Sequence, residues 1–243
     1  MSNGEEVAMV DRISKQKLNV IIMVDASTSM RGERIRQVNN AIRDIKKHLT
    51  ELESENSTVD FYLTIITFST EAKFLGNDKE KKVDDFDFQD ICAGGRSNLH
   101  LAYEALETLL KKEKHGGIMP DFGGTAPILL LLTDGHPTEK CKAQLARLKE
   151  LPWFRVALKY GIAIGLNDKR TIDCLHAFVS ENGDVIECYD FTLLEKIIKI
   201  IVMTASKVKS SSASVHSGEA PCINREVRQE IQEALGEAED WEW

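Results

Sequence analysis

The stretch LNVIIMVDASTS, residues 18–29, decides the fold of this 243-residue chain. Residues 18–24 form an aliphatic run, which is typical of a strand buried on both faces of a sheet. The run ends in Asp25 and a turn of small residues. Beyond the turn, apolar residues recur at three- and four-residue steps from Ile35 to Leu52, as on one side of a helix. The stretch therefore opens a strand–loop–helix unit.

The same alternation of strands and helices continues along the chain. Further strands are predicted at residues 59–68, 72–75, 127–133, 155–165 and 184–188, and further helices at residues 98–114, 139–151, 169–179 and 191–208. Strands that alternate with helices imply right-handed βαβ units. We expect an α/β fold of the Rossmann-like, doubly wound type, with a mostly parallel sheet and helices on both faces. Residues 72–75 form the exception, because their short connection to the strand before them makes them an antiparallel edge strand.

The chain length fits one domain of ordinary size with a tail at each end. Residues 1–16 are read as a polar N-terminal tail and residues 17–207 as the folded domain. Residues 208–243 are read as a Ser-rich linker and an acidic C-terminal tail. Within that last segment, apolar residues four apart predict a short amphipathic helix: Ile223, Val227, Ile231 and Leu235.

Charge and composition exclude several classes of protein. The net charge of −8 repels phosphate backbones, so we expect no nucleic-acid partner. No apolar run is long enough to span a membrane, and residues 1–11 lack the apolar core of a signal peptide. The five cysteines contain no C-x-x-C pair and are expected to be free thiols in a reducing compartment. We therefore expect a cytoplasmic protein without membrane contact.

Three loops carry the residues suited to chemistry, and each is expected at the carboxyl edge of the sheet. The first, residues 25–29, follows the first strand; the second, residues 94–99, precedes a helix; the third, residues 133–135, follows a later buried strand. Loops at this edge of an open α/β sheet meet where the strand order reverses. They offer three hydroxyls and two carboxylates as candidate metal ligands: Ser27, Ser29, Ser97, Asp25 and Asp134.

Oxygen ligands of this kind predict a hard divalent cation, Mg²⁺ in the first place, with Mn²⁺ or Ca²⁺ as alternatives. Hydroxyls make most of the expected contacts, so little negative charge reaches the ion. The ion then stays electrophilic and leaves a coordination position for an external carboxylate. We therefore expect a protein partner that supplies an Asp or Glu side chain to the metal.

The segment Asp25-Ala26-Ser27-Thr28-Ser29 resembles the D-x-S-x-S signature of the metal-ion-dependent adhesion site of von Willebrand factor type A (VWA) domains, and residues 132–135 resemble the T-D-G segment of the same family. The resemblance covers roughly residues 17–207. It implies that Asp25, Ser27 and Ser29 are first-loop ligands and that Asp134 is the third-loop group, often acting through water.

The second loop departs from the family pattern G-G-T-x-L, because this chain has Gly95-Arg96-Ser97-Asn98-Leu99. Ser97 then stands at the threonine position. Serine keeps the hydroxyl but loses the β-branch that stiffens the side chain. Arg96 adds a positive charge, which either competes with the metal or helps to hold an incoming carboxylate.

Within the family, residues 18–32, 133–138 and 162–173 resemble the bacterial VWA proteins of tellurium-resistance (TerY-type) systems. That resemblance implies a stress or defence signalling module, with a kinase and a phosphatase of the same system as partners.

These residues are compatible with three functions. The favoured one is a non-enzymatic binding module that recruits a partner carboxylate through the metal. The second is a Mg²⁺-dependent phosphohydrolase with Asp25 as nucleophile, although Ser27 stands where such enzymes usually have a second aspartate. The third is a metal-free scaffold that acts through its C-terminal tail.

Overall fold

The computed structural model describes residues 15–55, 59–76, 79–135, 139–165, 169–181, 183–190, 193–211 and 220–239. Its strands are β1 Gln16–Asp25, β2 Val59–Phe68, β3 Ala72–Phe74, β4 Lys81–Lys82, β5 Ile128–Thr133, β6 Leu158–Ile164 and β7 Gly183–Cys188. Its helices are α1 Glu33–Glu55, α2 Leu99–Leu109, α3 Glu139–Glu150, α4 Pro152–Val156, α5 Lys169–Val179, α6 Leu194–Ser211 and α7 Ala220–Glu239. Most of the predicted N-terminal tail and the last four residues lie outside these ranges.

The strands of the described residues form one sheet in the order β3-β2-β1-β5-β6-β7, with β4 beside β2. All neighbours from β2 to β7 run parallel. β3 and β4 are antiparallel to β2. The predicted fold class is confirmed, including the antiparallel edge strand, which is β3. β4 is not among the predicted strands, because two residues give no alternation that a sequence pattern can show.

The sheet is covered on both faces, which explains why β1 reads as an aliphatic run. Alternate residues of β1 point to opposite sides. Val20, Ile22 and Val24 pack in a core with α1, α6 and α7, whereas Ile21 and Met23 pack with α2, α3, α4 and α5. A strand between two apolar cores has no polar face to show in its sequence.

The strand order reverses between β1 and β5. From β1 the chain adds β2 on one side, and it later adds β5, β6 and β7 on the other. Val24 pairs with Leu132, so the residues that follow each strand leave the same edge of the sheet side by side. This is the crevice in which open α/β sheets place their ligands.

Around Pro152 the structure differs from the prediction by one additional helix and one strand boundary. Pro152 directly follows the helix predicted at residues 139–151, and α3 ends at Glu150. Pro152 then occupies the first turn of a further short helix, α4. Proline suits that position because its missing N–H has no partner in a first turn anyway. The strand predicted from residue 155 consequently starts only at Leu158.

The C-terminal segment contributes to the core. α6 continues to Ser211, past the predicted domain limit at residue 207, and α7 packs against it. Ile223, Val227 and Ile231 of α7 are buried in the same cluster as α1 and α6. The predicted amphipathic helix is thus present, and its apolar stripe covers part of the sheet.

The described residues also bear on the expectations about membranes and cysteines. No helix in the described part of the chain combines the length and apolarity needed to cross a bilayer. No disulfide bond joins Cys92, Cys141, Cys174 and Cys188, the cysteines whose side chains the structure describes.

Candidate metal centre

Asp25 is the last residue of β1, and its side chain is fully buried. Its Oδ1 accepts a hydrogen bond of 2.9 Å from the backbone N–H of Ser27, which turns the chain sharply away from the strand. A carboxylate that accepts the amide two residues further on stabilises such a turn. The turn aims Ser27 and Ser29 back toward the edge of the sheet.

A chain of short polar contacts joins the first loop to the third. The hydroxyl oxygens of Ser27 and Ser29 are 3.0 Å apart. The Ser29 hydroxyl donates to Oδ1 of Asp134 at 2.8 Å. Ser29 itself is exposed, so one side of this group faces solvent.

The second loop is tied to the first through Thr28 and Gly95. The N–H and the hydroxyl of Thr28 both donate to the Gly95 carbonyl at 3.0 Å, and the Gly95 N–H donates to the Thr28 hydroxyl at 3.1 Å. Gly95 has a φ of +90°, and a Cβ there would lie 2.5 Å from the hydroxyl oxygen of Thr70. Only glycine fits both conditions. The loop is thereby placed so that Ser97 donates to Asp25 Oδ2 at 2.8 Å.

The third loop supplies a residue whose role the sequence did not reveal. Thr133, at the end of β5, donates its hydroxyl to Asp25 Oδ2 at 2.8 Å and accepts the Gly135 N–H at 3.0 Å. It stood in the quoted T-D-G segment, but nothing in the sequence assigned it to Asp25. A Cβ on Gly135 would come within 3.0 Å of the Ser97 hydroxyl, so glycine lets the second and third loops approach each other.

The structure brings all five predicted site residues together. The Ser97 hydroxyl and the Ser27 N–H both donate to Asp25, the Ser27 hydroxyl contacts the Ser29 hydroxyl, and the Ser29 hydroxyl donates to Asp134. Neighbouring oxygens of an octahedral Mg²⁺ shell with bonds of about 2.1 Å lie about 3.0 Å apart. The oxygen separations between Ser27, Ser29 and Asp134 match that spacing. The donor set therefore fits a small divalent cation.

The charge around Asp25 points the same way. Burial raises the pKa of Asp25 above its usual range, and hydrogen bonds from Ser27, Thr133 and Ser97 oppose this effect. Among the described residues it has only neutral donors and no cationic partner. A buried carboxylate without a counter-ion is costly, and a bound cation would remove that cost.

Arg34 is a second site residue that the sequence did not reveal. It lies in the first turn of α1 and pairs with Oδ2 of Asp134, and it also donates to the Ser29 carbonyl at 3.2 Å. One signal was present in the sequence, because a cation in a first helical turn opposes the helix dipole and needs a partner. Arg31 and Arg96 lie in the neighbouring loops and are exposed.

No group of three or more His, Cys, Asp or Glu side chains in the described residues is arranged to hold a metal. The candidate centre differs from such a group because it combines two carboxylates with three hydroxyls.

A sequence-family profile of the von Willebrand factor type A domain matches residues 19–200. This chain belongs to the VWA family. VWA domains often carry a metal-ion-dependent adhesion site, commonly bind a divalent metal there, and generally mediate protein–protein interactions. The first-loop signature and the arrangement of the three loops agree with membership.

Individual VWA relatives are distant in sequence. The inter-alpha-trypsin inhibitor heavy chain H1 of Sus scrofa is 26% identical over 133 residues, and the match covers 52% of this chain and 14% of that protein. A von Willebrand factor type A structure from Catenulispora acidiphila has a TM-score of 0.59 at 14% identity and covers 79% of this chain and 43% of its own.

A third relative is proximal thread matrix protein 1 from the mussel byssus, described with a zinc-occupied MIDAS motif. Its TM-score is 0.50 at 15% identity, and the match covers 79% of this chain and 46% of that one. This chain thus spans less than half of each of these relatives, and the structural likeness concerns the fold.

Proposed function

We propose that this VWA domain is a metal-dependent protein-binding module. In this proposal, Asp25, Ser27, Ser29 and Ser97 hold a divalent cation, with Asp134 behind them. The cation supplies an electrophilic position for a carboxylate of an Asp or Glu side chain on a partner protein. The protein's own residues orient that position and keep the buried side of the centre dry.

One observation carries the proposal. Five oxygen-bearing side chains from three loops, distant in sequence, join in one hydrogen-bonded group at the reversal of strand order. At the inner end of this group Asp25 is fully buried, and at the outer end Ser29 is exposed. A cation in such a group is shielded on one side and accessible to a partner on the other.

The donor atoms favour Mg²⁺ over zinc. All candidate ligands are hydroxyl or carboxylate oxygens, which are the ligands of hard cations, whereas zinc sites usually contain nitrogen or sulfur. The zinc in the mussel protein belongs to that protein. We expect Mg²⁺ and Mn²⁺ to bind here with Ca²⁺ weaker, since the close oxygen spacing suits a small ion.

Charges on the rim support an acidic partner. The chain as a whole carries a net charge of −8, yet the loops around the centre present the exposed side chains of Arg31 and Arg96. Arg96 has no acidic partner among the described residues, and Arg31 donates to the Ala93 carbonyl at 3.2 Å. A local positive rim on an acidic protein steers an anionic surface toward the metal position.

The test is a pull-down from native cells with the wild-type chain, in Mg²⁺ or in EDTA, next to Ser29→Ala and Ser97→Ala. Each variant removes one hydroxyl and keeps both carboxylates. A true partner is captured by the wild type in Mg²⁺ and lost in EDTA and in both variants. Ser54→Ala is the matched control, because Ser54 is an exposed hydroxyl at the far end of α1.

A captured protein must then depend on one of its own acidic residues. Replacement of that Asp or Glu by Asn or Gln should abolish binding, which identifies the carboxylate. Metal-dependent recruitment would be refuted if the partner were retained in EDTA. It would also be refuted if Ser29→Ala and Ser97→Ala captured as much partner as the wild type does.

Contacts of Asp25 argue against the phosphohydrolase alternative. Both carboxylate oxygens already accept hydrogen bonds, from Ser27, Ser97 and Thr133, and the side chain is inaccessible. A nucleophile must be in reach of the phosphorus of its substrate, and a phosphate ester is far larger than a bare cation. Mg²⁺-dependent hydrolysis of p-nitrophenyl phosphate that Asp25→Asn abolishes would reinstate this alternative.

The packing of α7 changes how the scaffold alternative must be tested. Removal of the whole C-terminal segment would also remove three buried core residues of α7: Ile223, Val227 and Ile231. Deletion of residues 240–243 alone avoids that damage. A partner that is lost with this short deletion but kept in EDTA would favour the scaffold.

The resemblance to tellurium-resistance VWA proteins supports a finer proposal about context. The partner would then be a kinase or phosphatase of a bacterial stress or defence system. Mass spectrometry of the Mg²⁺-dependent pull-down identifies the partner directly, and a partner of another class would set this context aside without affecting the metal site.

A further inference from the structure

Arg34 carries its positive charge at a position in α1 that is unfavourable for a cation. It lies in the first turn of α1, at the positive end of the helix dipole, where acidic residues are favoured. Its side chain is partly buried, and its guanidinium reaches over the first loop to Asp134. The dipole disfavours this location, so the interaction with Asp134 must offset the cost.

Arg34 and Ser29 together occupy both oxygens of Asp134. Oδ1 accepts the Ser29 hydroxyl at 2.8 Å, and Oδ2 accepts the Arg34 guanidinium. The Asp134 side chain is almost completely buried. A guanidinium stays protonated at any physiological pH and holds a carboxylate in a fixed orientation. Asp134 is therefore neutralised by the protein itself, whereas Asp25 is not.

We infer that Arg34 sets the charge of the metal centre and thereby limits its affinity for the cation. This inference rests on the proposed metal-binding function. With Arg34 present, the protein offers the cation a net charge of −1 instead of −2. The loaded centre then keeps one net positive charge, which a partner carboxylate neutralises. Metal and carboxylate consequently favour each other's binding.

The inference predicts that removal of Arg34 tightens metal binding. A unit charge a few ångströms from a divalent ion, in the partly screened environment of a protein surface, changes its affinity by about 10- to 100-fold. Arg34→Met should bind Mn²⁺ tighter by that factor, because the repulsion is gone and Asp134 is released. A purely structural role of Arg34 predicts the opposite sign, since disordered loops bind metal more weakly.

The experiment is a Mn²⁺ titration followed by electron paramagnetic resonance of free Mn²⁺, on the full chain. Arg34→Gln is a second variant that can still donate to Asp134, and it should also tighten binding. Arg34→Lys keeps the charge and should stay within about threefold of the wild type. Arg36→Met is the matched control, because Arg36 pairs with Glu33 on the same helix.

The outcomes separate this inference from the proposed function. Wild-type binding with unchanged or weaker binding in Arg34→Met and Arg34→Gln overturns the role of Arg34 and leaves the metal site standing. No Mn²⁺ binding by any of the proteins overturns both. A further titration with added acetate should raise the Mn²⁺ affinity of the wild type more than that of Arg34→Met.

Discussion

Two nearly buried aspartates in this protein pair with an arginine from a helix, but their surroundings differ. Both carboxylate oxygens of Asp184 in β7 accept hydrogen bonds from the Arg228 guanidinium of α7, and Oδ1 also accepts the Val185 N–H. Asp134 pairs with Arg34 and accepts the Ser29 hydroxyl. The side chains of Asp184 and Asp134 are 7% and 3% exposed, whereas Arg228 and Arg34 are 65% and 29% exposed.

The difference lies in what stands beside each pair. We call the region around Asp184 and Arg228 the α7 corner. Neighbouring polar side chains there also contact α7: Tyr160 donates to Asn224 at 2.9 Å, and Thr204 donates to Glu230 at 2.8 Å. At the carboxyl edge, the pair adjoins three hydroxyls and a second carboxylate, Asp25, that has no counter-ion among the described residues. In the first region Arg228 neutralises Asp184, and the pair helps to hold a helix in place. The other is one positive charge short and is suited to take up a cation.

Asp25→Asn gives the largest expected effect at the edge. The variant keeps the shape and one oxygen but removes the buried charge, so Mn²⁺ affinity should fall by at least about 100-fold, since even outer partners of a metal ligand contribute about 10- to 100-fold. Isothermal titration calorimetry measures this. Asp184→Asn is the matched control and should bind Mn²⁺ like the wild type. A similar loss in both variants would erase the distinction between the two regions.

Ile223→Ala should destabilise the packing of α7 without affecting the candidate metal centre. Ile223 is fully buried against the core that α7 shares with α6. Truncation of such a side chain lowers the free energy of unfolding by about 2–5 kcal/mol. Urea unfolding followed by circular dichroism measures the loss, and the Mn²⁺ affinity of the folded variant should not change. Gln232→Ala, an exposed position of the same helix, should cost less than about 0.5 kcal/mol.

Lys159 should make the stability of the protein depend on pH. It is a buried lysine of β6 whose ammonium donates to the carbonyls of Phe154 and Ala157 at 3.0 and 2.9 Å. Burial, with a smaller contribution from Lys149, lowers its pKa from 10.5 to about 8. Between these values the unfolded chain binds a proton that the folded chain does not. Stability should therefore rise with pH over this window, by about 3 kcal/mol at most.

The measurement is urea unfolding from pH 7 to pH 11, taken as the difference between the wild type and Lys159→Met. Below pH 8 the charged lysine is held at a cost, and that cost disappears as the folded protein loses the proton. Lys47→Met, at an exposed position of α1, should keep the rise. A pH profile of Lys159→Met that parallels the wild type would contradict the role of Lys159.

Arg228→Ala gives the smallest effect. Arg228 is mostly solvent-exposed, so screening limits the value of its ion pair with Asp184 to about 1 kcal/mol or less. A double-mutant cycle with Asp184→Asn isolates the interaction in urea unfolding. A coupling energy well above that value would mean that the corner depends on the ion pair more than on its apolar residues.

The sequence predicted the parts of this molecule that local patterns determine. The aliphatic run of β1, the stripe of α1 and the antiparallel β3 all follow from spacing alone. The five site residues were found because a strand with a small-residue turn and two partner loops must share the carboxyl edge. The structure shows that these five residues lie together. Their role as metal ligands stays a prediction.

Contacts between distant segments could not be predicted. Nothing near Arg34 in the sequence shows that its side chain reaches Asp134, one hundred residues away. The bond from Thr133 to Asp25 depends on the neighbouring positions of β1 and β5, which only the strand order reveals. The packing of α7 against α6 is likewise a contact between separate elements, so the sequence predicted an amphipathic helix but not where it packs.

We propose that a divalent cation binds among Asp25, Ser27, Ser29 and Ser97. The most direct measurement is a crystal of the wild-type chain grown with Mn²⁺, with data collected at a wavelength where Mn²⁺ scatters anomalously. We expect one strong anomalous peak within about 2.2 Å of the hydroxyl oxygens of Ser27 and Ser29. A well-ordered centre with no peak, or a peak bound only elsewhere, would contradict it.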